Sequence, residues 1–182
     1  MPTPLWSRVL NGSSSKIFVE AIRREIEVAV AVGTERLVIN SGAKSEAFMK
    51  NQYPDLPPQA FVHYGNFIGE TLKIAAEMRI PEVAMGIMVG KAVKLAEGHL
   101  DTHSKSVVMN KAFVRELAAE AGCSQAAVEA IDRLTLAREL WTSLSEPDAR
   151  RFFPALRERC HQVCMAVYPP TSGELTLFLV EE

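Results

Sequence analysis

The residues with the chemistry to act on a ligand crowd into one short span. Lys91, Lys94, His99, His103 and Lys105 lie close together, offset by Glu97 and Asp101. Lys91 and Lys94 are three apart, so on a helix they share a face and present two ammonium groups to one anion. His103, between Thr102 and Ser104, carries a side chain that exchanges a proton near neutral pH. A solvated helix surface is the ordinary meaning of such lysines. Their position argues for more, because they follow the apolar run "EVAMGIM" (82–88) and the pair Gly90-Lys91.

Three familiar chemistries fit this span poorly. A phosphate-binding P-loop needs G-x-x-x-x-G-K-[ST], but Gly86 and Gly90 are too close and Ala92 stands where a hydroxyl must hold magnesium. A dinucleotide fold needs G-x-G-x-x-G after a strand, and the chain has none. His99 and His103 are four apart but lack the Glu of H-E-x-x-H, while Cys160 and Cys164, beside His161, sit in an amphipathic pattern where cysteine serves as a small apolar residue. No metal site is expected.

The elements that must position these groups follow from periodicity. Met1 to Gly12 show no sustained period and are expected to be an irregular lead-in to one domain over 13–182. Ser13-Ser14-Ser15 offers a helix N-cap, Ile17, Ala21, Ile22, Ile26, Ala29 and Val30 form an inward stripe, and Gly33 ends the helix. "RLVIN" (36–40) reads as a buried strand, with a helix from about Lys44 to Asn51 after it. The cycle repeats with "AFVHY" (60–64) and a helix from Phe67 to Met78, then with "EVAMGIM", a turn at Val89-Gly90 and a helix from Lys91 to Glu97.

The later chain reads as helices. Ser124 caps one with Ala126, Ala127, Ala130, Ile131 and Leu134 inward, and Pro154 should kink or split another between Glu146 and Val167. "ELTLFLVEE" (174–182) is a terminal strand. Short apolar strands alternating with helices predict an α/β fold: a three-layer domain with a small, mostly parallel sheet of about four strands, flanked by helices, and a helix-rich C-terminal half. The junctions Asn40-Ser41-Gly42, Tyr64-Gly65-Asn66 and Met88-Val89-Gly90 then share the carboxyl edge, where open parallel sheets take their ligands.

Composition narrows the partners. The chain of 182 residues is 48% hydrophobic and 23% charged with a net charge of −2, which gives no general reason to expect nucleic acid or an anionic membrane. Three cysteines make no disulfide framework, and with no recognisable leader a cytoplasmic setting is expected.

"GNFIG" (65–69), "GKAVKLAEG" (90–98) and "THS" (102–104), in this order and preceded by "FVEAIRREIEVAVAVG" (18–33) and "SGAKSEAF" (41–48), resemble the CbiD family of cobalt-precorrin-5B C1-methyltransferases. The resemblance runs from about Ser15 to Gly122 and more loosely beyond. In the first turn only Gly42 and Glu46 keep the family pattern, the apolar stretch before Gly90 lacks the family's histidine, and Val108 replaces an aspartate that often follows T-H-S.

What the resemblance implies is methyl transfer from S-adenosylmethionine to C1 of a cobalt-bound tetrapyrrole in anaerobic cobalamin biosynthesis. It implies Gly42, Glu46, Gly65, Asn66, Phe67 and Gly90 around the cofactor, Lys91, Lys94, His99, Thr102 and Ser104 around the carboxylate-rich substrate, and His103 as the catalytic residue, a proton acceptor or the group that orients the macrocycle. CbiD chains carry a further N-terminal portion that nothing here matches, so a separate N-terminal polypeptide is an expected partner. An uncovered apolar patch could also drive self-association. Two other readings remain: a truncated CbiD-like domain that binds adenosylmethionine or a tetrapyrrole without turnover, and an unrelated nucleotide-binding α/β protein.

Overall fold

A computed structural model describes the backbone of residues 5–101 and 108–181, with side chains from Ser14 onward. Helix α1 (Leu5–Ala31) leads into strand β1 (Arg36–Asn40), then α2 (Ala43–Gln52), β2 (Phe61–His63), α3 (Ile68–Glu77), β3 (Glu82–Met88) and α4 (Val89–Ala96). There follow α5 (Lys111–Glu120), α6 (Gln125–Ile131), the short α7 (Leu140–Ser143), α8 (Glu146–Cys164) and β4 (Glu174–Val180). Among the described residues the strands form one sheet of order β2-β1-β3-β4, parallel at every pairing. The α/β architecture expected from the sequence is the one observed.

Alternation along the strands divides the core. Leu37, Ile39, Val83, Met85, Ile87, Leu175 and Leu177 pack with α1, α3, α4 and α8. Val38 and Ala84 turn the other way, towards Met49 of α2 and the rings of Phe48, Tyr53, Phe61 and Phe178. Gly86 lies inside β3, where an added Cβ would come within 2.7 Å of Met49 Cγ; it is a packing glycine and not part of a phosphate loop.

Several sequence expectations are corrected. Leu5 to Gly12 are helical backbone and not an irregular lead-in, because α1 runs through Ser13-Ser14-Ser15 without stopping. Serine is only modestly poorer than alanine inside a helix and does not terminate one by itself. The inward stripe of α1 is narrower than its apolar content: Ile22, Ile26 and Ala29 are buried, whereas Ile17, Ala21 and Val30 are exposed. Gly33 does end the helix, at φ 80°, with its N–H on the Val30 carbonyl at 2.9 Å and the Thr34 N–H on that of Ala29 at 3.1 Å.

The third correction concerns Val89-Gly90. β3 passes directly into α4 at Val89, so Gly90 is a first-turn helical residue and makes no turn. In the helical half, Ala126 faces solvent and Val128 takes a buried place beside Ala127 and Ile131. Pro154 does not split α8, which continues to Cys164. The carbonyl it leaves without a donor belongs to Arg150, an exposed residue that water can reach. Among the described residues no helix is long and apolar enough to cross a membrane.

Asp148 fastens the helical half together. Its carboxylate accepts the Ser124 N–H at 2.7 Å, the Ser124 hydroxyl at 2.8 Å and the Ser145 hydroxyl at 2.7 Å, joining the N-termini of α6 and α8. These bonds, the Ser124 N–H foremost, hold its carboxyl below the ordinary aspartate range. A depressed folded pKa stabilises the fold at pH values above the unfolded value of about 3.9 and withdraws that contribution as acid protonates the native carboxylate. Asp148→Asn should therefore lower the urea midpoint at pH 7 and reduce the loss of midpoint between pH 5 and pH 2. An unchanged acid slope would show that other carboxylates set it.

Candidate functional site

The carboxyl edge gathers three structures. At the first, β1 ends on Asn40 and turns through Ser41 and Gly42. Ser45 closes this turn on itself: its hydroxyl oxygen accepts the N–H groups of Ser41 at 3.0 Å and Gly42 at 3.1 Å, and its proton goes to the Gly42 carbonyl at 3.0 Å. The turn's backbone donors are thus occupied. A Cβ placed on Gly42 would meet nothing within 4 Å, so the space above it is open.

Asn40 lies beneath this turn, fully buried, and neither atom of its amide has a hydrogen-bond partner. Buried amide atoms left unpaired cost about 1–3 kcal/mol each. An unpaired amide at the carboxyl end of a central strand has a donor and an acceptor that the described fold does not use. It was legible only as the polar residue closing "RLVIN".

The second structure is the β2–α3 turn. Gly65 has φ 58°, a left-handed conformation that favours glycine, and a Cβ there would sit 2.9 Å from the tip of the Phe18 ring, which would have to shift. Phe67 stacks obliquely on Phe18 with centroids 5.4 Å apart and is bridged to Asp101. The chain beyond α4 returns here, with the Gly69 N–H on the Leu100 carbonyl at 3.2 Å. Thr102, His103, Ser104 and Lys105 follow Asp101 but lie outside the described residues.

The third structure is α4. Lys91 reaches from its first turn to the Gly65 carbonyl and, at 3.2 Å, to Asn66 Oδ1, with its ammonium 5.6 Å from the centre of the Tyr64 ring. Tyr64 is buried and fixed by donation to the Gly86 carbonyl at 2.9 Å. Partial burial, reinforced by neighbouring Lys94, pulls the Lys91 pKa below the ordinary lysine value. Among the described residues no carboxylate pairs with Lys91.

The structure brings Gly65, Asn66 and Lys91 into contact and sets Phe67 beside them. Gly90 and Lys94 instead line a groove of about 420 Å³ whose walls include Val93, Met109 and Leu136. His99 is exposed beyond the end of α4, with Nε2 3.8 Å from Glu97. Glu46 pairs with Lys50 and His63, the lysine being the larger cause of its lowered pKa. Sequence reasoning passed over His63, although a histidine inside "AFVHY" marks a strand open to solvent on one side.

Burial pushes the Cys160 thiol far above its usual range and that of Cys164 up to about 12, as expected of core residues. Among the described residues no three His, Cys, Asp or Glu side chains converge to hold a metal ion.

A parallel α/β domain with an unpaired amide at its carboxyl edge, and a lysine there that no carboxylate pairs among the described residues, belongs to the open-sheet class, whose ligand sites lie at that edge. Residues 101–181 match the family model described as CbiD, C-terminal domain. A cobalt-precorrin-5B C(1)-methyltransferase of Prosthecochloris aestuarii is 34% identical over 170 residues, covering 93% of this chain and 46% of that protein. One of a Geobacillus species is 34% identical over 164 residues, covering 90% and 44%. One of Nitratidesulfovibrio vulgaris is 37% identical over 118 residues, covering 65% and 30%. No solved structure matches. The chain belongs to the CbiD family, carrying its C-terminal domain, and spans about half the length or less of the curated relatives it matches.

If the Asn40 amide has no internal partner to lose, replacing it with an apolar side chain of similar size should stabilise the ligand-free protein. Asn40→Leu is expected to raise stability by about 1–2 kcal/mol in urea denaturation with an unchanged slope. Destabilisation would mean that the amide is satisfied inside the fold.

Proposed function

We propose that this chain supplies the ligand-binding part of an S-adenosylmethionine-dependent methyl transfer to C1 of cobalt-precorrin-5B, and that turnover requires the remaining CbiD portion. The observation that carries the reading is Lys91: a half-buried cation at the sheet's carboxyl edge, held by neutral oxygens and an aromatic face. A protein bears the cost of desolvating an ammonium where an anion completes the site. Acetate and propionate side chains of a corrinoid precursor are such anions, and the apolar groove beside Lys94 suits the edge of a macrocycle.

The methyl donor fits the residues present in one respect and constrains them in another. Asn40 offers a donor and an acceptor without partners, and the space over Gly42 is open. Ser45 has taken the turn's N–H groups, so polar recognition falls to side chains, with Asn40, Glu46 and Asn66 as the candidates. S-adenosylmethionine, when bound, supplies a methyl group already activated on a sulfonium. The protein's task is orientation, which by itself accounts for much of such a rate. Lys91 fixes a substrate carboxylate, Lys94 a second, and His103, on the strength of the family resemblance, accepts the proton.

That the chain spans less than half of its relatives favours a binding role when it is alone. Titration calorimetry with S-adenosylhomocysteine is expected to give saturable heat that Asn40→Leu abolishes; absence of heat with the unaltered chain would remove the cofactor from this domain. Methylation of cobalt-precorrin-5B should appear only when the N-terminal portion of a relative is added. Turnover by the chain alone would overturn the division of labour.

Lys91→Ala should weaken tetrapyrrole binding at least tenfold and flatten its salt dependence. The pH dependence has a defined sign. The protonated amine binds the carboxylate and its pKa is lowered, so affinity should fall with rising pH earlier than an ordinary lysine would allow. Equal affinity and salt slope in the variant would return Lys91 to a structural role.

A further inference from the structure

The sheet has two edges, and they are treated differently. At β4 the His161 ring donates to the Leu175 carbonyl at 3.1 Å, which blunts that edge with a side chain. At β2 nothing comparable stands among the described residues. The Tyr64 N–H bonds the Asn40 carbonyl at 2.9 Å, so by the alternation of a parallel ladder Val62 and Tyr64 face β1 while the backbone of Phe61 and His63 faces outward. The Phe61 N–H turns back to Pro58. The Phe61 carbonyl and both backbone groups of His63 are left pointing away from the sheet.

Beside this edge runs an apolar strip of α1. Ile17, Ala21 and Val28, with Val32 just past the end of the helix, recur at four, seven and four residues and so fall within about 60° of one another around the helix axis. Ile17 is 68% exposed, Val28 50% and Val32 52%. The strip lies well round the helix from Ile22, Ile26 and Ala29, which face the core. Between strip and strand lies a groove of about 490 Å³, lined by Arg24, Glu25, Val28, Phe61, His63 and the α2 residue Glu46. Arg24 is paired with Glu20 and Glu27, and Glu46 with Lys50 and His63, while Glu25 has no ionic partner among the described residues.

More than half of the Prosthecochloris protein lies outside the matched region, joined to a domain like this one in a single chain. We propose that the β2 edge and the outer strip of α1 form the seam at which that remaining portion docks, through an extended segment added as a fifth strand beside β2. The proposal rests on the reading that this chain acts with such a portion. The segment's chemistry is set by the groove: alternate apolar side chains to cover Val28 and Phe61, and a basic residue opposite Glu25. Main-chain bonds to His63 would supply affinity and the pockets would supply register.

Hydrogen exchange on the intact Prosthecochloris relative, compared with this chain, tests the seam in a protein that already contains both parts. The amide aligned with His63 should be protected by at least a hundredfold in the relative and exchange freely here. Free exchange in both overturns the proposal. With the relative's N-terminal portion added in trans, Val28→Glu and Val32→Glu, both at exposed positions, should each weaken complex formation tenfold or more. A complex insensitive to them, no complex at all, or a dimer of this chain protected at β2 would also overturn it. Val32 lines neither the groove of Glu46 nor that of Lys94, so S-adenosylhomocysteine binding should survive Val32→Glu. A chain that never binds it counts against the functional reading and leaves the seam to be judged by exchange.

Discussion

Because β1 and β3 lie side by side and parallel at the centre of the sheet, every link between consecutive strands must cross back over a face before the next strand begins. That constraint brings α2 to one face and α3 to the other, and it delivers every strand's carboxyl end to the same edge. The link from β1 returns beside it as β2, and the link from β2 crosses to the opposite side as β3. The turns after β1 and β3 therefore diverge across the sheet's centre, where an open α/β domain has room for a ligand. Gly86 shows how closely the cover fits, since Met49 occupies the place of the side chain that β3 lacks.

The site's electrostatics follow from this geometry. Lys91 belongs to the first turn of α4, where the helix dipole disfavours a cation, and its amine is partly withdrawn from water as well. The Gly65 carbonyl, Asn66 Oδ1 and the Tyr64 ring soften both costs without neutralising the charge. A negative ligand group would offset what these neutral partners leave. Lys94 adds a second positive charge one turn along, which makes the first harder to hold and a dianionic ligand more welcome.

Much of this was legible in the residues. The α/β class, the strand at "EVAMGIM", the helix stop at Gly33 and the Ser124 cap follow from periodicity and local turn chemistry, and the structure contains each of them. Family membership was legible through the order of "GNFIG" and "GKAVKLAEG". What misled was local signal without tertiary context. Three serines look like a helix start, Gly90 looks like a turn, and an apolar helix face looks buried whether or not anything packs on it. Asn40 and His63 were missed for a related reason: each stands inside an apolar strand pattern, and only the three-dimensional partner list distinguishes an orphaned amide or an open edge from a tolerated polar residue.

The contrast between Asp148 and Asn40 separates structural polarity from functional polarity. Both are buried polar side chains. Asp148 is saturated by serine donors and joins two helices, so nothing about it calls for a ligand. Asn40 has a donor and an acceptor with no partners, in a fold that elsewhere satisfies its turns closely enough for Ser45 to bond three backbone groups. Thr34 Oγ1 and Trp141 Nε1 are also unpartnered, but each is a single atom away from the carboxyl edge. A sequence under no functional demand would replace Asn40 with an aliphatic residue continuous with Leu37, Val38 and Ile39, and the core would gain by it. This chain ends the central strand on an unsatisfied amide, at the same carboxyl edge as a lysine that no carboxylate pairs among the described residues, and that is where the polar cost of this fold is concentrated.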